Sequence, residues 1–110
     1  MKKIDLKQGT LDVLVLKSLS WEPRHGYSIS KWIQERTDSV LSVEEGALYP
    51  ALHRLERKGW IESDWGRSEN NRKAKYYQLT KRGHAALDDE ASEWGRYVEA
   101  VDRVLSGGSG

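Results

Sequence analysis

Basic residues are concentrated in one segment of this chain, and their chemistry suits the binding of a polyanion. Between Arg67 and Arg82 six bases stand against one acid, Glu69, a local balance of +5. The six bases are Arg67, Arg72, Lys73, Lys75, Lys81 and Arg82. Between Asp88 and Arg103 six acids stand against two bases, a balance of −4. The net charge of the chain is only +1, so the distribution carries the information, although either cluster alone is also typical of a solvated surface.

A helix predicted just before the basic segment carries further candidate binding residues. Ser42 and Glu45 have the spacing of a capping box, and Gly59 is a typical helix stop, so the helix should open at Ser42 and end near Gly59. Its inner face repeats at four and three residues, with Leu48, Leu52 and Leu55. The residues expected at the start of the helix, in its first turns or near its outer face, where they could contact DNA, are Ser42, Gly46, Ala47, Pro50, His53, Arg54 and Arg57.

Two neighbours on this helix each have two interpretations. Tyr49 is placed to donate its hydroxyl to a phosphate, or it packs with Pro50 against the preceding helix. A proline in a helix interior costs about 3 kcal/mol, because it removes one hydrogen bond and its ring crowds the carbonyl four residues back. Either the helix begins later than Ser42 indicates, which puts Pro50 in its first turn, or a strained bend is kept to fit the groove.

Two short strands are predicted within the basic segment. Apolar and polar residues alternate over 60–65 and over 73–79, and the polar residues 66–72 between them predict a hairpin loop. Such a hairpin is a wing that meets the sugar-phosphate backbone or minor groove of DNA. Its candidate contacts are Arg67, Arg72, Lys73 and Lys75. The pair Asn70 and Asn71 turns the loop or bonds to base edges.

Earlier elements must position this helix and wing. Asp5 and Gln8 have capping-box spacing, and the helix that follows is apolar nearly all round, so it should be central. A turn over 21–24, which contains a proline, leads to a second helix over about 25–36. The inner face of that second helix is predicted to hold Ile29, Trp32 and Ile33.

The last predicted helix is capped by Thr80 and has apolar residues spaced 4-3-4-3-4, which is typical of a heptad seam that packs on another helix. The seam residues are Leu87, Ala91, Trp94, Val98, Val101 and Leu105. An apolar fraction of only 37% also favours burial of surface between subunits. We therefore expect a homodimer joined through these residues.

Together the elements predict an α+β, mainly α fold: a winged helix-turn-helix, with a three-helix core plus a two-stranded β-wing, and a C-terminal dimerisation helix. The expected boundaries are 1–80 for the DNA-binding domain, 81–105 for the dimerisation helix and 106–110 for a flexible tail. No apolar run approaches the roughly 20 residues of a membrane span, and the N-terminus lacks a long apolar signal segment, which favours a cytoplasmic protein.

Catalysis and metal binding find little support in the residue pattern. The chain has no cysteine, and its histidines, His25, His53 and His84, lie far apart without metal-ligand spacing. It contains neither a phosphate-binding loop nor a nucleophile elbow. We expect no enzymatic activity and no cofactor. The alternative function is a winged-helix module that binds protein and not nucleic acid, which the basic, polar wing disfavours.

Four segments resemble the PadR family of bacterial transcriptional regulators, in order and with suitable separations. They are HGYSI at 25–29, GALYPAL at 46–52, RLERKGWI at 54–61 and KYYQLTKRG at 75–83. The resemblance covers about residues 6–105. It implies a homodimeric winged-helix repressor in which each C-terminal helix packs on the other subunit, and in which Tyr49 and the basic wing touch DNA.

One departure from the family pattern is Ala47, where the family often has a threonine whose hydroxyl could serve a phosphate. The resemblance also implies effectors such as phenolic acids and flat aromatic drugs. Trp94, with Gly95 beside it, is the candidate to hold a flat ring, and the alternative is that Trp94 is only a core residue of the interface. We expect a palindromic operator, bound by two third helices in major grooves about one helical turn apart and released by an effector.

Overall fold

The structure, a computed structural model, describes residues 7–107 and, within them, every side chain but that of Gln8. These residues form four helices and three strands. The elements are α1 (Gln8–Ser18), β1 (Arg24–His25), α2 (Gly26–Arg36), α3 (Glu45–Arg57), β2 (Ile61–Arg67), β3 (Lys73–Leu79) and α4 (Lys81–Ser106). The predicted fold class, a mainly helical winged helix-turn-helix, is confirmed.

One hydrophobic core joins the four helices with strands β2 and β3. Helix α1 is central, as predicted, because it buries residues on several sides and packs against α2, α3 and α4. Its fully buried side chains include Leu11, Val15 and Leu16. Helix α2 contributes Ile29 and Ile33, with Trp32 partly buried beside them, so the predicted inner face of α2 is confirmed.

Two of the helix starts are fixed by side-chain caps. The Nδ1 atom of His25 accepts a hydrogen bond from the backbone N–H of Ser28 at 3.2 Å, which begins α2. The Thr80 hydroxyl accepts from the Gly83 N–H at 3.0 Å and donates to the Gly59 carbonyl at 2.6 Å. Thr80 therefore caps α4, as predicted, and ties it to the end of α3.

The predicted start of α3 is wrong. The N-cap is Glu44, whose side chain makes no capping hydrogen bond, and Ser42 lies in the loop before it. The capping-box spacing of Ser42 and Glu45 is therefore not used, and α3 begins three residues later than Ser42. For α1 the N-cap is Lys7, and the predicted partner Asp5 lies outside the described residues, as do positions 108–110 of the tail.

The sheet has three antiparallel strands in the order β1-β3-β2, one more than the sequence predicted. Strand β1 pairs Arg24 with Tyr77 and His25 with Tyr76. It was missed because a two-residue strand shows no alternation of apolar and polar residues. The predicted loop 66–72 is also too long, since Gly66 and Arg67 belong to β2 and pair across the hairpin with β3.

Helix α4 has two unlike halves. Its buried residues, Gly83, Ala86 and Leu87, all lie in the first two turns. Gly83 must be glycine there, because a Cβ at this position would overlap the backbone carbonyl of Trp60. From 88 to 106 no residue is buried, so about 28 Å of helix lies outside the core of the subunit.

Candidate nucleic-acid interface

The outer face of α3 is the first part of the candidate interface. Buried Leu48, Ala51, Leu52 and Leu55 hold the other face of the helix on the core. Glu45 and Arg57 are exposed at the two ends of the helix, and between them the exposed residues are Gly46, Ala47, Tyr49, Pro50 and His53. A Cβ added at Gly46 would meet nothing within 4 Å, so the first turn of α3 is open to close approach by a groove wall. These five predicted residues share one accessible side.

Tyr49 packs against α2 and also remains accessible, so it combines features of its two predicted roles. Its ring lies against Gly26 at the start of α2, where a Cβ built at Gly26 would come within 2.8 Å of the Tyr49 hydroxyl oxygen. The side chain nevertheless remains 43% exposed. The contact with α2 therefore orients the ring, and its exposure leaves the tyrosine accessible to a ligand.

Pro50 lies in the second turn of α3, and not in the first. The carbonyl of Gly46 accordingly receives no hydrogen bond from position 50, since proline has no N–H. The first of the two interpretations, a start late enough to place Pro50 in the first turn, is wrong.

The Arg54 side chain is largely buried and pairs with an acid of the same subunit. Its Nη2 atom lies 2.7 Å from Oδ1 of Asp12 in α1, and the two side chains are only 21% and 14% exposed. The prediction that Arg54 contacts DNA is not supported, because moving the guanidinium outward would leave a largely buried carboxylate unpaired. Ser42 is half-buried in the loop before α3.

The basic residues of the wing strands lie on the face of the hairpin that, closer to the body of the protein, packs into the core. Strand partners that lie directly opposite each other project to the same side of a sheet, and Trp65 faces Lys75 while Arg67 faces Lys73. Closer to the core, the same face carries buried Tyr77. Burial raises the pKa of the Tyr77 hydroxyl, with a smaller effect of the Glu56 carboxylate, so that hydroxyl stays neutral.

The hairpin loop is folded back on the body. Asn71 has a φ of +57°, in the left-handed region that asparagine tolerates, which agrees with a turn role. Arg67 donates from Nη1 to the Asn71 carbonyl at 3.1 Å. Arg72 remains exposed. The predicted wing contacts are therefore unequal, since Arg67 also closes the loop and Arg72 extends from it.

Glu69, the one acid of the basic segment, lies against His25. The His25 Nδ1 atom already accepts a hydrogen bond, so the proton of a neutral imidazole is on Nε2, which lies 3.7 Å from Oε2 of Glu69. A hydrogen bond from its own backbone, with a smaller effect of His25, lowers the pKa of the Glu69 carboxyl. This acid therefore links the loop to the start of α2.

A groove of about 460 Å³ separates α3 from the wing. We call it the helix–wing groove; its walls include Tyr27, Tyr49, His53, Trp65, Lys73 and Lys75. It joins the exposed side of α3 to the basic face of the hairpin, two surfaces that the sequence predicted separately. Tyr27 and Trp65 were not predicted as site residues. The signal for Trp65 was its strand alternation, which places it on the same side as Lys75 and Lys73.

The six predicted seam residues of α4 do not behave alike. Leu87 is 7% exposed within its own subunit and belongs to the core, so it is not free to form a dimer contact. Trp94 is 44% exposed and Leu105 is 78% exposed. Val98 and Val101 are half-buried and Ala91 is exposed. An apolar stripe of five residues thus runs along the half of α4 that the core does not cover.

Metal sites and membrane-spanning helices are absent from the part of the chain that the structure describes. No group of three or more histidine, aspartate or glutamate side chains among residues 7–107 is placed to hold a metal ion. None of the helices that the structure describes is long and apolar enough to cross a membrane.

The wing, the exposed α3 and the groove between them define a winged-helix protein of the DNA-binding class. Residues 15–89 match the model of the family described as "Transcriptional regulator PadR-like family". An uncharacterized protein of Lysinibacillus sphaericus is 35% identical over 107 residues, which span 97% of this chain and 98% of that protein. The chain belongs to the PadR family.

Solved structures agree with this assignment. A transcriptional regulator from Clostridium thermocellum is 31% identical, with a TM-score of 0.75 and coverage of 94% of this chain and 96% of that one. A protein from Streptococcus mutans is 28% identical, with a TM-score of 0.84 and coverage of 96% and 95%. The protein is thus a DNA-binding transcriptional regulator and not an enzyme, and the alternative of a purely protein-binding module is set aside.

Proposed function

We propose that this protein is a homodimeric repressor that binds a palindromic operator in double-stranded DNA. The observation that carries the proposal is the helix–wing groove, where the exposed side of α3 and the basic face of the hairpin border one concave surface. Helix α3 enters the major groove with Gly46, Ala47, Tyr49, Pro50 and His53 leading, while the wing follows the sugar-phosphate backbone.

The two parts of this surface have different tasks. Lys73, Lys75, Arg67 and Arg72 neutralise phosphates and release counterions, which supplies affinity with little sequence preference. Sequence choice falls to the α3 residues, because only a helix in the major groove reaches the full pattern of base edges. Ala47 has no polar group, so it offers a thymine methyl an apolar contact instead of a hydrogen bond.

Dimerisation is proposed for the uncovered half of α4. Its stripe of Ala91, Trp94, Val98, Val101 and Leu105 keeps the heptad spacing of a helix that packs lengthwise on another. Two intrahelical ion pairs partly balance the acidic charge of this segment, Arg96 with Glu93 at 3.2 Å and Arg103 with Glu99 at 2.8 Å. A pair of such helices would hold the two α3 helices about 34 Å apart.

An aromatic effector is the third part of the proposal. Trp94 and Tyr97 lie with their ring centroids 5.8 Å apart, and the neighbouring Gly95 has nothing within 4 Å of an added Cβ. A flat ring held there between two subunits would change the angle between the α4 helices and release the operator. The simpler alternative is that Trp94 serves only as packing in the interface.

Selection of bound fragments from random or host DNA tests the proposal. Recovery of an inverted repeat with half-sites one helical turn apart would support three parts of the proposal together: the DNA partner, the two-fold symmetry of the dimer and the spacing of its α3 helices. Repression is then measured with a reporter gene placed behind the recovered site, with and without the regulator. Enrichment of a single unrepeated half-site, or the absence of any enriched duplex at low salt, would contradict the dimeric operator model.

A further inference from the structure

Trp65 is the residue of the helix–wing groove whose exposure has no structural explanation within the subunit. It lies on β2, an edge strand of the sheet, and is 60% exposed. The other strongly exposed tryptophan, Trp21, is 59% exposed but packs on Trp32 with ring centroids 5.7 Å apart. Among the described residues Trp65 has no such aromatic partner.

The contact that Trp65 does make is with a cation. The Lys73 Nζ atom lies 4.9 Å from the centroid of the indole ring, within the range of a cation–π interaction. Lys75 is its direct strand partner. An exposed apolar surface is thus placed beside two positive charges, at the side of the groove opposite Tyr49 and His53.

The sugar-phosphate backbone matches this combination. Each nucleotide offers an apolar deoxyribose next to an anionic phosphate, whereas the base faces of a duplex are stacked inside and closed to an indole. An apolar protein surface fits poorly, because it would bury Lys73 and Lys75 without partners. Trp65 also borders a second groove on the other side of the hairpin, with Pro23 and Tyr76, but that groove presents Asp64, which repels a phosphate.

We propose that Trp65 anchors the wing to DNA: its indole packs on a deoxyribose at the edge of the minor groove while Lys73 pairs with the adjacent phosphate. The inference rests on the proposed function and deepens it. Because the contact reaches sugar and phosphate only, it adds affinity without sequence preference. Because the indole is uncharged, it adds affinity without salt dependence, unlike the lysine beside it.

The test compares wild type with Trp65→Ala, Trp65→Phe and the exposure-matched control Trp21→Phe. Binding is measured by fluorescence anisotropy on a labelled selected operator and on a random duplex, over a salt series. Trp65→Ala is expected to weaken binding to both duplexes about tenfold, which corresponds to about 1.4 kcal/mol, with the salt slope unchanged. Lys73→Ala is expected to reduce the slope by about 1 per wing. Trp21→Phe should leave both quantities unchanged.

Intrinsic fluorescence gives a second measurement that does not depend on affinity. Addition of saturating duplex should quench tryptophan emission in wild type and in Trp21→Phe, and the change should be lost in Trp65→Phe. Full quenching in Trp65→Phe, or equal affinity of Trp65→Ala and wild type, would overturn the anchor. A loss confined to the operator would also overturn it, since that indicates base contact. If wild type binds no duplex, the proposed function itself fails.

Discussion

The helix–wing groove and the uncovered half of α4 are both open surfaces of the subunit, yet they have opposite chemistry. The groove is edged by Lys73 and Lys75 in a segment of balance +5, whereas α4 beyond Leu87 combines an apolar stripe with a balance of −4. Salt screens the attraction between the helix–wing groove and phosphate. In the proposed dimer it also screens the mutual repulsion of the two acidic α4 helices. We therefore expect higher salt to weaken DNA binding at the groove and to favour the proposed dimer of α4 helices.

The largest expected effect comes from charge placed in the apolar stripe. Val98→Asp with Val101→Asp should give a monomer by sedimentation, because four buried carboxylates cannot be desolvated in a dimer interface. Operator affinity should fall by about 100-fold or more, since two half-sites are no longer bound together. Ser92→Asp with Ala100→Asp adds the same charge at exposed positions off the stripe and should remain dimeric. A dimer in the first variant would place the interface elsewhere.

Removal of charge from the wing should have the next largest effect and leave the dimer intact. Arg72→Ala with Lys73→Ala is expected to weaken binding to every duplex and to reduce the salt slope by about 3 to 4 for two wings. Arg96→Ala with Arg103→Ala removes the same charge from the outer side of α4 and serves as the control. An unchanged slope in a mobility-shift titration would remove the wing from the contact surface.

A smaller effect is expected from the glycine that orients Tyr49. In Gly26→Ala the new Cβ would lie 2.8 Å from the Tyr49 hydroxyl oxygen, so the ring must shift by a few tenths of an ångström. Operator affinity should drop by roughly threefold to tenfold, of the order of one lost polar contact, with sedimentation unchanged. The control is Gly95→Ala in the uncovered half of α4, where an added Cβ meets nothing within 4 Å. Equal affinity of both variants would show that Tyr49 does not contact DNA.

The smallest effect on DNA binding is expected from the ion pair between α1 and α3. Asp12→Asn should lower the free energy of unfolding by about 1 to 2 kcal/mol, because Arg54 loses a charged partner in a largely buried place. Its salt slope for DNA binding should equal that of wild type. Denaturant unfolding measures the first quantity and anisotropy the second. A steeper slope would mean that Arg54, once released, reaches a phosphate.

Much of the fold was predictable because it depends on local periodicity. Several features can be recognised within a few residues of sequence: the stripe of Leu48, Leu52 and Leu55, the cap at Thr80 and the alternation of β3. The errors arose where a local signal competed with tertiary structure, as at Ser42, whose capping-box spacing was not used. The two-residue β1 had no period to detect.

The candidate site was less predictable than the fold, because its key contacts join distant parts of the chain. Arg54 was expected on the outer face, but its partner Asp12 lies 42 residues away. No spacing rule indicates that the Tyr49 ring would lie on Gly26, or that the loop acid Glu69 would reach His25. The charge balance identified the wing correctly as basic, whereas only the strand register showed which of its residues share a face with Trp65.

The double hydrogen bond of Thr80 has a consequence for signalling. Its hydroxyl accepts a hydrogen bond from the first turn of α4 and donates one to the carbonyl that follows α3, and its backbone N–H donates to the Trp60 carbonyl. The start of α4 is therefore bonded directly to the segment that follows α3. In the proposed dimer, a tilt of α4 would be transmitted through these bonds to α3, because no flexible linker separates the two. Thr80→Val keeps the shape and the backbone bond to Trp60 but removes both hydroxyl bonds. In the proposed effector-responsive dimer we expect this variant to weaken the coupling, measured as the change in operator affinity when an aromatic effector is added.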